Sequence, residues 1–125
     1  MSVPAVMLAH VRELVWREGE EAAWRTYRDR GYRLLARNWR CDLGELDLVV
    51  ARGDEVVFCE VKSRRHSRLG GPFEAVTRDK QRKVRALAVA FCAAEHPRAD
   101  RYRFDVASVT VATDGVDVYV FEDAF

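Results

Sequence analysis

The apolar positions change period several times along the chain, and each change marks an element. Over Trp16–Arg30, the positions Trp16, Glu20, Ala23 and Tyr27 follow helical spacing. Gly31 stands where a C-terminal cap belongs, which predicts a helix over 16–30. Residues before about Val15 are consistent with an extra helical turn. Tyr32–Trp39, Glu45–Ala51 and Glu55–Lys62 then read as strands, the last two joined by the short turn Arg52-Gly53-Asp54 and so forming a hairpin. Leu46, Leu48, Val49 and Val50, followed by Val56–Cys59, are nearly continuous apolar runs, as expected of strands covered on both faces. Ser63–Pro72, with Gly70-Gly71 and no apolar period, reads as a loop. Thr77–Glu95 is the longest helical stretch, with Val84, Leu87, Ala88 and Phe91 on one face and His96-Pro97 ending it. Arg101–Ala112 alternates as a strand, and Asp114-Gly115 turns into Val116–Phe121. The order α-β-β-β-α-β-β predicts an α/β fold, a mixed β-sheet flanked by helices.

Composition narrows this picture. At 125 residues with no repeat or linker, the chain is expected to form a single domain, 1–125. The longest apolar run, Ala86–Ala94, is nine residues, short of the ~18 needed to span a bilayer, so no membrane partner is expected. Met1–Val15 lacks a basic n-region and is interrupted by His10, Arg12 and Glu13, which argues against a secretory signal and for a cytoplasmic protein. Cys41, Cys59 and Cys92, like His10, His66 and His96, fit no metal-ligand spacing; they read as core thiols and isolated imidazoles, and no zinc is expected. Net charge is +1, but its distribution is uneven: residues 22–40 carry +5 and 62–85 carry +7, bracketing 41–61 at −5. That pattern suits an acidic pocket set in a cationic surface; solvated helix faces are the alternative.

The chemistry concentrates on the central hairpin. Glu45 and Asp47 share a face of one strand, Glu60 and Lys62 a face of the next. Pairing through Arg52-Gly53-Asp54 sets residue i opposite roughly 107 − i, which brings Asp47 across from Glu60. Buried charges cost several kcal/mol unless compensated. Two adjacent carboxylates repel, and a hard cation such as Mg²⁺ or Mn²⁺ relieves that repulsion while binding waters and phosphate oxygens. Lys62 stands out in a chain with only 3 Lys among 21 basic residues: it is a compact cation able to position a water. A structural ion pair is the competing explanation.

Gly19-Glu20 with Ala23, Gly31-Tyr32, Asn38, Gly44-Glu45-Leu46-Asp47-Leu48, Phe58-Cys59-Glu60-Val61-Lys62-Ser63-Arg64, Lys80-Gln81, Arg103-Phe104-Asp105 and Ala124-Phe125 resemble, in order and spacing, the YraN-like family of small bacterial proteins. That family is related to archaeal Holliday-junction resolvases and to the PD-(D/E)xK nuclease superfamily. The resemblance covers about residues 17–125 and leaves 1–16 as an N-terminal extension. It implies a restriction-endonuclease-like core, αβββαβ with an extra C-terminal strand. It further implies a metal site of Glu20, Asp47 and Glu60 with the Val61 carbonyl, Lys62 as the catalytic cation, and Glu45 and Gln81 in support. Leu46 replaces the proline of the superfamily motif, which leaves the carboxylate in place.

The function expected is a metal-dependent endonuclease hydrolysing phosphodiesters of DNA, branched or damaged DNA included. Arg64, Arg65, Arg68, Arg78, Lys80, Arg82 and Lys83 would grip phosphates, with affinity falling as salt rises. The competing expectation is a non-catalytic nucleic-acid binding module using the same basic surface. The apolar, aromatic segment Val118–Phe125 would suit a homodimer.

Overall fold

The computed structural model describes residues 4–65 and 76–125. Helix α1 spans Ala5–Asp29, β1 Arg33–Cys41, β2 Gly44–Arg52, β3 Glu55–Arg65, α2 Arg78–Glu95, β4 Arg101–Ala112 and β5 Gly115–Phe121. The five strands form one sheet in chain order. Every neighbouring pair is antiparallel except β3–β4, which the α2 crossover makes parallel. The result is a mixed α/β fold with a helix on each face of the sheet.

β3 is central, and its residues Val56–Val61 are all buried. One face of the sheet packs Leu48, Val50, Val57, Cys59 and Val61 against Ala23 and Tyr27 of α1. The other packs Leu46, Val49, Ala51, Val56 and Phe58 against Val84, Leu87, Ala88 and Phe91 of α2. Near-continuous apolar runs in β2 and β3 follow from this double cover. α2 starts where Thr77 accepts the Lys80 N–H and stops at His96, whose φ of 49° ends the helix in the left-handed region.

Two expectations change. α1 begins eleven residues before Trp16 rather than one turn before it. Its first half, free of Gly and Pro and with Ala5, Leu8, Ala9 and Leu14 among its helix formers, extends the helix that the packed second half nucleates. Ser63–Arg65, expected in a loop, belong to β3, because β4 remains its partner as far as Arg65 opposite Val111. The remainder of that expected loop, 66–72, lies outside the described residues. Among the described residues no helix is long and apolar enough to cross a membrane.

One irregularity shapes everything near the site. Trp39 and Leu46 pack on the α2 side, against Phe91, whereas Leu48 packs on the α1 side and Arg37 reaches Glu21 of α1. Residues two apart in a regular strand share a face, so both β1 and β2 reverse their pleat between these positions. The reversal falls at Asn38 and at Asp47 opposite it; Asn38 has φ 50°, a left-handed value that asparagine tolerates better than most residues.

Candidate functional site

The β2–β3 register runs Arg52–Glu55, Ala51–Val56, Val50–Val57, Val49–Phe58 and Leu48–Cys59, the expected sum of 107 at every step, and then stops. At the next position the ladder gives way to a side chain: Asp47 Oδ2 accepts the Val61 backbone N–H at 2.8 Å. The pleat reversal turns Asp47 toward β3 rather than into either core, which places its carboxylate in the notch where the two strands part.

Three elements converge on that notch. From α1 comes Glu20, 2% exposed, whose Oε1 accepts a hydrogen bond from Asn38 Nδ2 at 2.9 Å. α1 is held there by Gly19, since a methyl group at that position would overlap the Ser63 side chain of β3. From β3 comes Glu60, 5% exposed, with its Oε1 3.0 Å from Lys80 Nζ of α2. β2 contributes Asp47 itself.

The carboxylates oppose one another electrostatically. Burial, and next the charge of Glu60, push the Asp47 carboxyl up to about 7. Burial also raises Glu20, with Glu45 and Glu60 adding repulsion against the relief given by Asn38 and Arg37. Glu20 Oε2 is buried with no hydrogen-bond partner among the described residues. The orphaned Glu20 oxygen, Asp47 and Glu60 are hard oxygen donors, three carboxylates with the Lys80 ammonium as their close cation, and donors of this chemistry fit Mg²⁺ or Mn²⁺. The oxygens are not drawn together: among the described residues, no three His, Cys, Asp or Glu side chains are gathered so as to hold an ion. Each is turned instead to a local partner: Asn38 for Glu20, the Val61 N–H for Asp47, Lys80 for Glu60.

The other residues singled out from the sequence divide in two. Lys62 stands two residues beyond Glu60 on β3, half-buried, and among the described residues it makes no ion pair. Lys80, expected on phosphate, is the cation at Glu60. Arg78 and Lys83 are exposed on the first turns of α2, with the Lys83 stem lying over Gly44, and Arg82 is exposed beside Asp79 at 3.5 Å. Arg64 is half-buried and Arg65 exposed at the end of β3; Arg68 lies outside the described residues. Gln81 donates to the Val76 carbonyl at 2.9 Å and braces the start of α2. Glu45 pairs with Arg40 across the β1–β2 ladder at 3.0 Å. Neither of Glu20's nearest arginines along the helix neutralises it: Arg17 pairs with Glu13 and Arg25 with Glu21.

A second buried carboxylate escaped the functional reading of the sequence. Asp105 of β4 is fully buried and accepts hydrogen bonds from Tyr27 Oη (2.6 Å), Arg103 Nε and NH2 (2.8 and 2.9 Å) and the Asp123 N–H (2.9 Å). Arg103 also reaches Glu55 at 3.0 Å. The motif Arg103-Phe104-Asp105 was the available clue, since residues two apart on a strand face the same way.

A family profile described as Uncharacterised protein family UPF0102 matches residues 19–109. UPF0102 proteins similar to this chain include one from Caldicellulosiruptor saccharolyticus, 39% identical over 109 residues, covering 86% of this chain and 92% of the relative. Another, from Nocardia farcinica, is 43% identical and covers 84% of each chain. A third, from Stutzerimonas stutzeri, is 43% identical over 87% of this chain and 92% of its own.

Proposed function

The chain belongs to the family UPF0102, and from the geometry of its notch we propose that it is a divalent-metal-dependent endonuclease acting on DNA, branched or damaged DNA included, built on a restriction-endonuclease-like core. The observation that carries this reading is the set of mutually repelling carboxylates Glu20, Asp47 and Glu60, delivered by three different elements to one notch, with an orphaned oxygen on Glu20 and Asp47 raised to about 7. Purely structural carboxylates in a core are paired or hydrogen-bonded to completion. Buried carboxyls whose acidity is perturbed by burial and by one another are candidates for a working site.

Glu20, Asp47 and Glu60, with the Val61 carbonyl, would hold Mg²⁺ or Mn²⁺. When bound, such an ion lowers the pKa of a water and offsets charge on the phosphoryl group. The chain's own groups do the remainder. Lys62, beside Glu60 along β3, supplies an ammonium for the attacking water or a non-bridging phosphate oxygen. Arg64, Arg65, Arg78, Arg82 and Lys83 would supply cations for flanking phosphates, as would Arg68, while Lys80 stays with Glu60. Glu45 and Arg40 form a neighbouring pair that keeps the β1–β2 edge in register. Hydrolysis adds water across one P–O bond, leaving a phosphomonoester and a free hydroxyl.

One observation favours a binding module without turnover: Lys80 already compensates Glu60 at 3.0 Å. A panel of duplex, flap and four-way DNA, incubated with Mg²⁺, Mn²⁺ or chelator, separates the readings. Cleavage that needs metal and falls at least ~100-fold in Asp47→Asn and Lys62→Ala supports the nuclease. Equal cleavage by both variants overturns it. DNA binding without cleavage, indifferent to metal and to Glu60→Gln, establishes the module instead.

A further inference from the structure

Beyond Cys59, β2 no longer accompanies β3, while β4 pairs with it to Arg65, so the last turn of the sheet leaves one edge of β3 facing the first half of α1. Between them lies a groove of about 700 Å³, lined on the helix by Leu8, Arg12 and Trp16 and on the strand by Lys62, Ser63 and Arg65. Its chemistry is one-sided: Arg12, Lys62, Arg64 and Arg65 line it, and among the described residues no acidic side chain does. Trp16 is 37% exposed, and Leu8, Val6 and Met7 are more exposed still, although large apolar side chains on an ordinary helix face are turned inward.

The groove and the carboxylate notch lie on consecutive stretches of the same two elements, α1 and β3. Leu8, Arg12, Trp16 and Glu20 recur every four residues on α1 and so lie along one side of the helix, a turn apart. On β3, Glu60 is followed by Lys62, and Arg65 stands about 17 Å from Glu60 at ~3.3 Å per residue. The Val61 N–H points into the notch toward Asp47, and strand alternation turns the Ser63 and Arg65 N–H groups to that same open edge. An aromatic face, cations and backbone donors arranged along a track are the components of a single-strand binding surface: bases stack, phosphates are neutralised, and no base edge is read.

We infer that this groove binds an unpaired polynucleotide strand, with a base stacked on Trp16 and phosphates on Arg12 and Arg65, and leads that strand to the carboxylate notch. The inference rests on the nuclease reading for the direction of the strand, and it assigns a substrate class: nucleic acid with a single-stranded segment beside the scissile bond. A duplex hides its base faces from the indole, and an anionic membrane would meet the same cations but offers nothing to stack on it.

Binding is measured by fluorescence anisotropy on the full chain in chelator, so that no turnover intervenes. The probes are labelled oligothymidylate, the matching oligouridylate, a flap and a blunt duplex. The groove predicts tighter binding of the single strands and the flap than of the blunt duplex. Trp16→Ala should weaken single-strand binding by roughly 5- to 100-fold and Trp16→Phe by much less, with duplex binding little changed. Arg12→Ala and Arg65→Ala should each lower the slope of log affinity against log salt by about 0.7. Circular dichroism of each variant checks that α1 is intact. Equal affinity for duplex and single strand, an unchanged Trp16→Ala, or binding to vesicles of phosphatidylglycerol without binding to the oligonucleotides would each overturn the inference. Metal-dependent cleavage with no single-strand preference would leave the nuclease standing and remove the groove; single-strand binding without cleavage would do the reverse.

Discussion

Two buried carboxylate centres adjoin across the central strand β3 and are treated in opposite ways. At Asp105, four hydrogen bonds surround one carboxylate, two of them from the bidentate Arg103 guanidinium, and Arg103 spreads its remaining donors over Glu55 and Tyr32. Burial and the neighbouring negative charges hold the Tyr27 hydroxyl far above its ordinary range, so it remains a donor. Contact with Asp105 keeps Arg103 charged at any accessible pH. At the notch, by contrast, Glu20, Asp47 and Glu60 share the Lys80 ammonium, and among the described residues one Glu20 oxygen has no hydrogen-bond partner. The first centre ties α1, β4 and the C-terminal residues together. The second is an unfinished electrostatic arrangement, and folded proteins keep such arrangements where a ligand completes them.

The contrast is sharpest when the same chemical change is made at both centres. Asp105→Asn removes the charge that Arg103 was buried against and should destabilise the fold by about 3–5 kcal/mol, read by urea unfolding. Retention of wild-type stability would mean the network is ornamental. Second in size is the effect of Mg²⁺ or Mn²⁺: at about 100 times its dissociation constant a bound ion should add ~2.7 kcal/mol, and this gain should disappear in Asp47→Asn but survive Asp105→Asn where that variant folds. A metal effect independent of Asp47 would erase the distinction between the centres.

Asp47→Asn itself should stabilise the metal-free protein by about 1–2 kcal/mol, the opposite sign to Asp105→Asn, because the amide still accepts the Val61 N–H but repels neither glutamate. The pH dependence has a matching sign. Asp47 titrates at about 7 in the folded protein and near 3.9 when unfolded, so between those values the folded state holds a proton the unfolded state has released. Stability contributed by that proton is present at low pH and is lost as pH rises toward 7, levelling off above it. Unfolding curves from about pH 4 to about pH 8 should therefore show a decline in the wild type that Asp47→Asn lacks, and metal affinity should climb over the same window. The smallest effect belongs to the rim: Glu45→Gln breaks an exposed pair with Arg40 and should change stability by less than about 1 kcal/mol. A larger loss would move Glu45 from the edge into the centre itself.

Several of these features were legible before any coordinates. The apolar runs of β2 and β3 announced strands covered twice, and the short Arg52-Gly53-Asp54 turn set their register, which holds from Arg52–Glu55 to Leu48–Cys59. Local chemistry was enough there, because turn length and alternation act over a few residues. What escaped depended on residues distant in the chain. Asn38 and Asp47 reverse the pleat of their strands as a pair, and neither sequence segment carries a mark of it. Lys80 rather than Lys62 meets Glu60, since strand alternation says which face a side chain takes but not which helix crosses above it. Asp105 looked like a polar position on a half-exposed strand until Tyr27, 78 residues earlier, was seen to donate to it.

The amino-acid sequence by itself determined the element order, the hairpin pairing and the presence of acidic residues on strands that had to be covered, because propensity, period and turn chemistry are near-neighbour effects. Only the tertiary structure decided which carboxylates are neutralised and which are left in opposition. That outcome depends on the distances between charges brought by separate elements, and on how much water the packing of α1 and α2 removes from around them. Two aspartates with the same intrinsic acidity thus became a structural tie in β4 and a carboxyl held well above its ordinary range in β2.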